Sequence, residues 1–157
     1  MNVWYVNSIL GTFRLEEEDN AICGLALCSD GVPELEPLPR KVCETPLLQE
    51  AEEQLNEYFA GARREFDLPL APKGTPFQKA VWAEMCRIPY GETCTYGQLA
   101  AAIGRPKAAR AVGGACHCNP IAILQPCHRV VGRSGSLTGY AYGVEMKQYL
   151  LELEQQE

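Results

Sequence analysis

Charge divides this chain near residue 72, and any fold it adopts must accommodate that division. Residues 1–72 carry 14 acids and 5 bases, a net of −9, while residues 73–157 carry 6 acids and 9 bases, a net of +3. Between Glu92 and Glu145 there is no acid, yet Arg105, Lys107, Arg110, Arg129 and Arg133 all fall there. Pro69 and Pro72 lie at the break, so residues 65–74 read as a short strand and a linker. The chain is therefore expected to form two domains, 1–72 and 73–157. Its 157 residues suffice for two small cores. The total charge of −6 argues against indiscriminate nucleic-acid binding, but a local basic face on an acidic protein still meets phosphates.

The first part reads as strands. Val3–Ser8, Gly11–Glu16 and Ala21–Ser29 are separated by short turn signals, including Asp19-Asn20 and Asp30-Gly31. A segment with Pro33, Pro37, Pro39 and Pro46 reads as loop. Leu47, Ala51, Leu55, Tyr58 and Phe59 then recur at helical spacing, and Gly61 ends that helix.

The second part opens with Thr75-Pro76, a cap residue followed by proline at the first helical position. Phe77, Val81, Met85 and Ile88 share one helical face, and Pro89-Tyr90-Gly91 stops the helix. Thr95-Tyr96-Gly97-Gln98 fits a capping box and predicts a helix from Tyr96 to Ile103. Gly104-Arg105-Pro106 makes a tight turn, and a second helix runs from Lys107 to about Cys116. Helix, short glycine-containing turn, helix is the helix-turn-helix pattern, though a plain helical hairpin has the same outline. The second helix carries Lys107 and Arg110 with no acid, and is otherwise built mostly of Ala108, Ala109, Ala111, Gly113, Gly114 and Ala115. Residues this small bury little core and suit a place where another backbone comes close. The fold class is α+β: a small N-terminal α/β domain with an antiparallel sheet, then a mainly helical domain with the helix-turn-helix.

The eight cysteines show no framework spacing. In a reducing compartment most are free thiols, and Cys23, Cys28 and Cys86 read as small core residues. No apolar run reaches the roughly 18 residues needed to span a bilayer, and Met1–Leu10 lacks the basic start of a leader, so a cytoplasmic protein is expected. Asn119-Pro120 ends the second helix, and Pro126-Cys127-His128-Arg129-Val130-Val131 follows a short apolar run. A thiol beside an imidazole gains thiolate character and can act as a nucleophile. Adjacency alone is weak, because such pairs are usually assembled in space.

Pro126-Cys127-His128-Arg129-Val130 resembles the active-site signature of the O6-alkylguanine-DNA alkyltransferases. The likeness extends to Thr95-Tyr96, Lys107 through Ala115, Asn119-Pro120, Gly139-Tyr140 and the Lys147…Leu150-Leu151…Glu154 tail. It is close from about Gly74 onward and looser before. The resemblance implies single-turnover, direct-reversal repair. An alkyl group, chiefly methyl, would pass from O6 of guanine, with O4 of thymine as a second candidate, to Cys127, which inactivates the protein.

It further implies that His128 acts as a water-mediated base, that Glu154 orients His128 from a C-terminal helix, and that Asn119 holds the turn presenting the thiol. Tyr96 would crowd a phosphate, help rotate the nucleotide out and donate a proton to the leaving oxygen. Arg110 would fill the gap left in the stack. Ala109, Ala111, Gly113 and Lys107 would meet DNA through the minor groove. Tyr140, Val130, Ala141, Tyr142 and Cys116 would line the base pocket, with the carbonyls of Cys127 and Val130 and the Ala141 N–H reading the base. Arg129 reads as structural or phosphate-facing. No cofactor, no metal and no membrane is implied, and the partner is double-stranded DNA bound by a monomer.

The chain departs from the family pattern at two places. Tyr142 stands where the family commonly has glycine, which predicts poor acceptance of bulky substituents. Cys116-His117-Cys118 is unusual beside the site. It suggests either an oxidative disulfide with Cys127 or, at non-zinc spacing, a metal. Residues 1–72 hold no histidine, so the N-terminal zinc site of some members is not expected. Three rivals remain open: a damage sensor that binds without repair, a cysteine hydrolase that regenerates its thiol, and a sequence-specific regulator.

Overall fold

The computed structural model describes residues 1–28, 41–137, 140 and 142–155. The chain forms two compact units, Met1–Pro72 and Lys73–Glu157.

In the first unit, β1 (Asn2–Ser8), β2 (Gly11–Glu18) and β3 (Ala21–Leu27) pair antiparallel in sequence. The Asp19-Asn20 signal has a direct cause: both residues have positive φ, 52° and 62°, the backbone that a tight two-residue hairpin turn demands. β3 ends at Leu27, short of the expected Ser29, and the Asp30-Gly31 signal and most of the proline-rich segment lie outside the described residues. Within that segment β4 (Lys41–Val42) is not loop but an edge strand, pairing parallel to β1 and giving the order β3-β2-β1-β4. α1 (Pro46–Phe59), capped by Thr45, lays Leu48, Ala51, Leu55 and Tyr58 over a sheet face built from Val6, Phe13, Leu15, Ile22 and Leu25. Residues 65–72 form no full strand; a single parallel bridge joins Ile22 to Leu70. Buried Gln54 fixes this stretch by exchanging two hydrogen bonds with the Asp67 backbone.

In the second unit, α2 (Pro76–Met85) and α3 (Tyr96–Ala102) each start in a full capping box, Thr75 with Gln78 and Thr95 with Gln98. α3 ends one residue before the expected Ile103, which caps it, and Gly104 turns the chain with φ of 79°. α4 (Ala109–His117) begins two residues later than read from sequence, so Lys107 sits in the turn. Pro106 and the absence of a capping side chain at Ala108 leave nothing to start the helix earlier.

β5 (Cys94–Thr95) and β6 (Val130–Val131) form a two-stranded parallel pair that no sequence pattern announces. A one-turn 3-10 helix, Cys127–Arg129, precedes β6, and α5 (Val144–Gln155) closes the unit. The core comprises Val81, Trp82, Met85, Leu99, Val112, Ile121, Leu150 and their neighbours. The Trp82 indole N–H donates to the Ala115 carbonyl at 2.8 Å, tying α2 to α4. Among the described residues no helix is long and apolar enough to cross a membrane.

Candidate active site

Cys127 opens the 3-10 helix and is 5% exposed. The turn before it is strained: Ile123, a buried β-branched residue, has φ of 69°. Asn119, just past α4, spans this turn. Its Oδ1 accepts from the Ile121 N–H at 3.1 Å, and its Nδ2 donates to the Gln125 carbonyl at 2.8 Å. Burial pushes the Cys127 thiol above its ordinary value, while a hydrogen bond from the Asn119 side chain and the charge of Lys147 pull it back.

His128 is fully buried, and its Nε2 meets Glu154 Oε2 at 2.7 Å. Nδ1 is buried and bonds no protein group among the described residues. Burial pushes this imidazole below its ordinary value, with Glu154 opposing. Neutral His128 is thus the resting form, and a neutral imidazole can take a proton.

Glu154 on α5 is the hub. Its Oε1 accepts from Arg129 Nε at 2.8 Å and from the Gly91 N–H at 3.3 Å, and its Oε2 accepts from Arg129 Nη2 at 3.1 Å. Arg129 Nη1 donates to the Ile88 carbonyl at 2.7 Å. Arg129 is therefore the fork that holds Glu154, and its burial removes the phosphate-facing alternative.

Lys147 belongs to the C-terminal motif Lys147…Leu150-Leu151…Glu154, in which spacing alone assigns it no role. It is fully buried, with Nζ 5.7 Å from the Tyr96 ring centroid and 5.9 Å from that of Tyr140. Burial lowers its basicity, and the thiols of Cys127 and Cys116 restore part of it. A helical lysine is expected on the surface by default, so only its position four residues before Leu151 in the tail hinted otherwise.

The Tyr96 phenol, half-buried, is pushed up to about 12 by burial and by the two thiols. The phenol of Tyr140 is raised by burial, and its hydroxyl bonds no protein group among the described residues. Tyr142 stands edge-on to Tyr140, with centroids 5.8 Å apart and planes at 68°. Val130 is fully buried in β6; Ala141 lies outside the described residues, as does Gly139. Cys116 is buried with its sulfur 3.6 Å from that of Met85, and burial and Cys127 push it up to about 12. His117 and Cys118 face solvent instead, so the Cys116-His117-Cys118 run is split between core and surface. Among the described residues no three His, Cys, Asp or Glu side chains are placed to hold one ion.

A groove of about 840 Å³ lies along α3 and α4, lined by Tyr96, Ala109, Arg110, Gly113, His117 and Arg133 among others. A β-carbon built on Gly113 would approach Tyr96 only to 3.8 Å, and one on Gly114 meets nothing within 4 Å. α4 thus presents a low outer surface, with Arg110 exposed on it. Lys107 and Ala111 are exposed outside the groove lining. His117 and Arg133 line it without having been singled out for DNA contact, although Arg133 belongs to the acid-free stretch.

Comparison with known proteins gives one answer along the chain. A family model described as 6-O-methylguanine DNA methyltransferase, DNA binding domain, matches residues 76–156, and its ribonuclease-like domain matches residues 3–72. The constitutive methylated-DNA–protein-cysteine methyltransferase of Bacillus subtilis is 47% identical over 148 residues, covering 92% of this chain and 90% of that protein. The methylated-DNA–protein-cysteine methyltransferase of Methanosarcina barkeri is 58% identical over 107 residues, 68% of each chain. The crystal structure of Mycobacterium tuberculosis OGT in complex with DNA shares 42% identity and superposes with a TM-score of 0.90, covering 99% of this chain and 93% of that one. Matched in order through both units, this chain belongs to the 6-O-methylguanine DNA methyltransferase family.

Proposed function

We propose that this protein repairs double-stranded DNA by direct reversal, taking an alkyl group, chiefly methyl, from O6 of guanine onto the sulfur of its own Cys127. One observation carries the residue assignment. A buried thiol is followed directly by a buried neutral imidazole that is clamped by Glu154, and the charge of buried Lys147 favours the thiolate. Tyr96 couples that site to an acid-free groove bearing Arg110.

The alkylated carbon lies inside the base stack, so the nucleotide must leave it, at a cost of about a few kcal/mol. The low surface of α4 suits close approach along the minor groove, where Arg110 takes the space the nucleotide vacates. Lys107, Ala109, Ala111 and Gly113 adjoin the backbone there. Tyr140, Tyr142, Val130 and Cys116 surround the extruded base.

His128 receives the Cys127 proton at Nδ1, through water, and Glu154 stabilises the imidazolium that forms. Lys147 and the Asn119 amide stabilise the thiolate. The Cys127 Sγ–carbon bond forms as the carbon–O6 bond breaks, and the electron pair leaves on O6. A phenol raised to about 12 stays protonated, so Tyr96 remains a hydrogen-bond donor to that oxygen throughout the physiological range. The product thioether has no hydrolytic exit, which makes the protein single-use. A monomer acting on DNA in the cytoplasm, without cofactor, completes the reading.

The test is stoichiometry. With O6-methylguanine duplex in excess, repaired guanine rises to one equivalent per protein and stops; continued turnover would instead indicate a hydrolase.

A second expectation concerns substrate size. Tyr142 braces Tyr140 edge-on and narrows the space beside the base, so benzyl groups react slowly relative to methyl. Tyr142→Gly should raise the benzyl rate about tenfold relative to methyl, the scale of one steric contact in a pocket. An unchanged benzyl-to-methyl ratio in competition assays would remove Tyr142 from the specificity account.

A further inference from the structure

Gln125 is a buried polar side chain, 3% exposed, that neither the reaction scheme nor the sequence reading uses. It lies two residues before Cys127, directly after the apolar run Ile121–Leu124 that leads to the site. Its Nε2 donates to Asn119 Oδ1 at 2.7 Å, and its own backbone carbonyl accepts from Asn119 Nδ2 at 2.8 Å. The same carbonyl accepts from the Cys127 N–H at 2.8 Å.

Asn119 Oδ1 therefore takes two N–H donors, from Ile121 and from Gln125. That occupancy fixes which end of the amide is oxygen and turns the NH₂ group the other way. One of its hydrogens goes to the Gln125 carbonyl, leaving the second for the sulfur of Cys127. Donation into Oδ1 also draws electron density from the amide nitrogen, which strengthens the N–H that faces the thiolate.

We infer that Gln125 is a positioning residue for alkyl transfer: through Asn119 it orients and polarises the amide that stabilises the Cys127 thiolate. This rests on Cys127 being the acceptor, but it makes a claim about the thiol that is measurable without DNA. The groups facing that sulfur are Lys147 from α5, Cys116 from α4, Tyr96 from α3, Tyr140 ahead of α5, and His128 beside it. Among the described residues the Gln125 side chain hydrogen-bonds Asn119 alone, so a change at 125 reaches the sulfur through Asn119.

The experiment follows carboxamidomethylation of Cys127 by iodoacetamide across pH in the DNA-free full chain. It is read by mass spectrometry on the Cys127 peptide, alongside thermal unfolding. Gln125→Met keeps the volume and removes the donor; Gln125→Glu keeps the shape and sets a second acceptor against Oδ1. In Gln125→Met the midpoint for thiolate formation should rise by about half a unit, roughly a threefold loss of reactivity near neutrality that vanishes at alkaline pH. Gln125→Glu should raise it further. A purely structural role lowers the melting temperature or slows alkylation equally at every pH, so an unmoved midpoint in both variants overturns the inference. Failure of the alkyltransferase reading would show separately, as no methyl transfer from damaged DNA to the unsubstituted protein.

Discussion

Replacing Cys127 with serine should abolish methyl transfer while the protein stays folded and bound to damaged duplex. The reason lies in the acidity of the nucleophile. The thiol is already pushed upward by burial, and the Asn119 hydrogen bond, the charge of Lys147 and the backbone hydrogen bonds at Cys127 and His128 bring a thiolate within reach. A hydroxyl is a far weaker acid, and the same partners cannot ionise it. Removing the nucleophile from a site built on a nucleophile and base costs at least about 10³-fold, and here no water-borne route replaces it. Binding should stay within about threefold, less than 1 kcal/mol, because Arg110, Gly113 and Arg133 line the groove independently of the sulfur. Residual transfer to Cys127→Ser would place the acceptor elsewhere, with Cys116 the first alternative to map.

Glu154→Ala carries the largest expected loss of stability. The carboxylate receives both arms of Arg129, at 2.8 and 3.1 Å, and His128 at 2.7 Å, with its own side chain fully buried. Its removal leaves a guanidinium buried without a counter-charge, a cost of about 3–5 kcal/mol. Total stability is itself only about 5–15 kcal/mol. For a unit of this size the melting temperature should fall by roughly 10 °C or more. Measured below that transition, transfer should also slow by about 10²-fold, the contribution of a positioned base. His128 would have lost the partner that fixes its tautomer. Glu154→Gln retains an acceptor but no charge, so it should fall between the two. A Glu154→Ala protein that melts within about two degrees of the parent would mean that Arg129 is compensated some other way, since 1 kcal/mol alone shifts such a unit by several degrees.

Much of this could be read from residue order, for identifiable reasons. Asp19-Asn20 announced a hairpin because those residue types tolerate the left-handed backbone that both adopt. Thr95 and Gln98 announced α3 because reciprocal capping needs only three-residue spacing. The helix-turn-helix and the thiol–imidazole pair were visible for the same reason, being local.

What escaped the sequence depends on distant partners. β5 and β6 are two residues long and are defined only by each other, Cys94 against Val130. β4 is a strand because β1 offers an edge, not because Lys41-Val42 prefers one. α4 begins two residues late, after Pro106 and without a capping side chain. Arg129 looked able to face a phosphate until its carboxylate, 25 residues on, was found to bury it. Lys147 reads as a surface lysine until two tyrosine rings and two thiols surround it.

The most direct test is intact and peptide mass spectrometry after mixing the protein with a duplex carrying one O6-methylguanine. The account predicts a gain of one methylene group, confined to the Cys127 peptide and stopping at one equivalent. Tight binding with no mass gain, or a gain on any other residue, would contradict it.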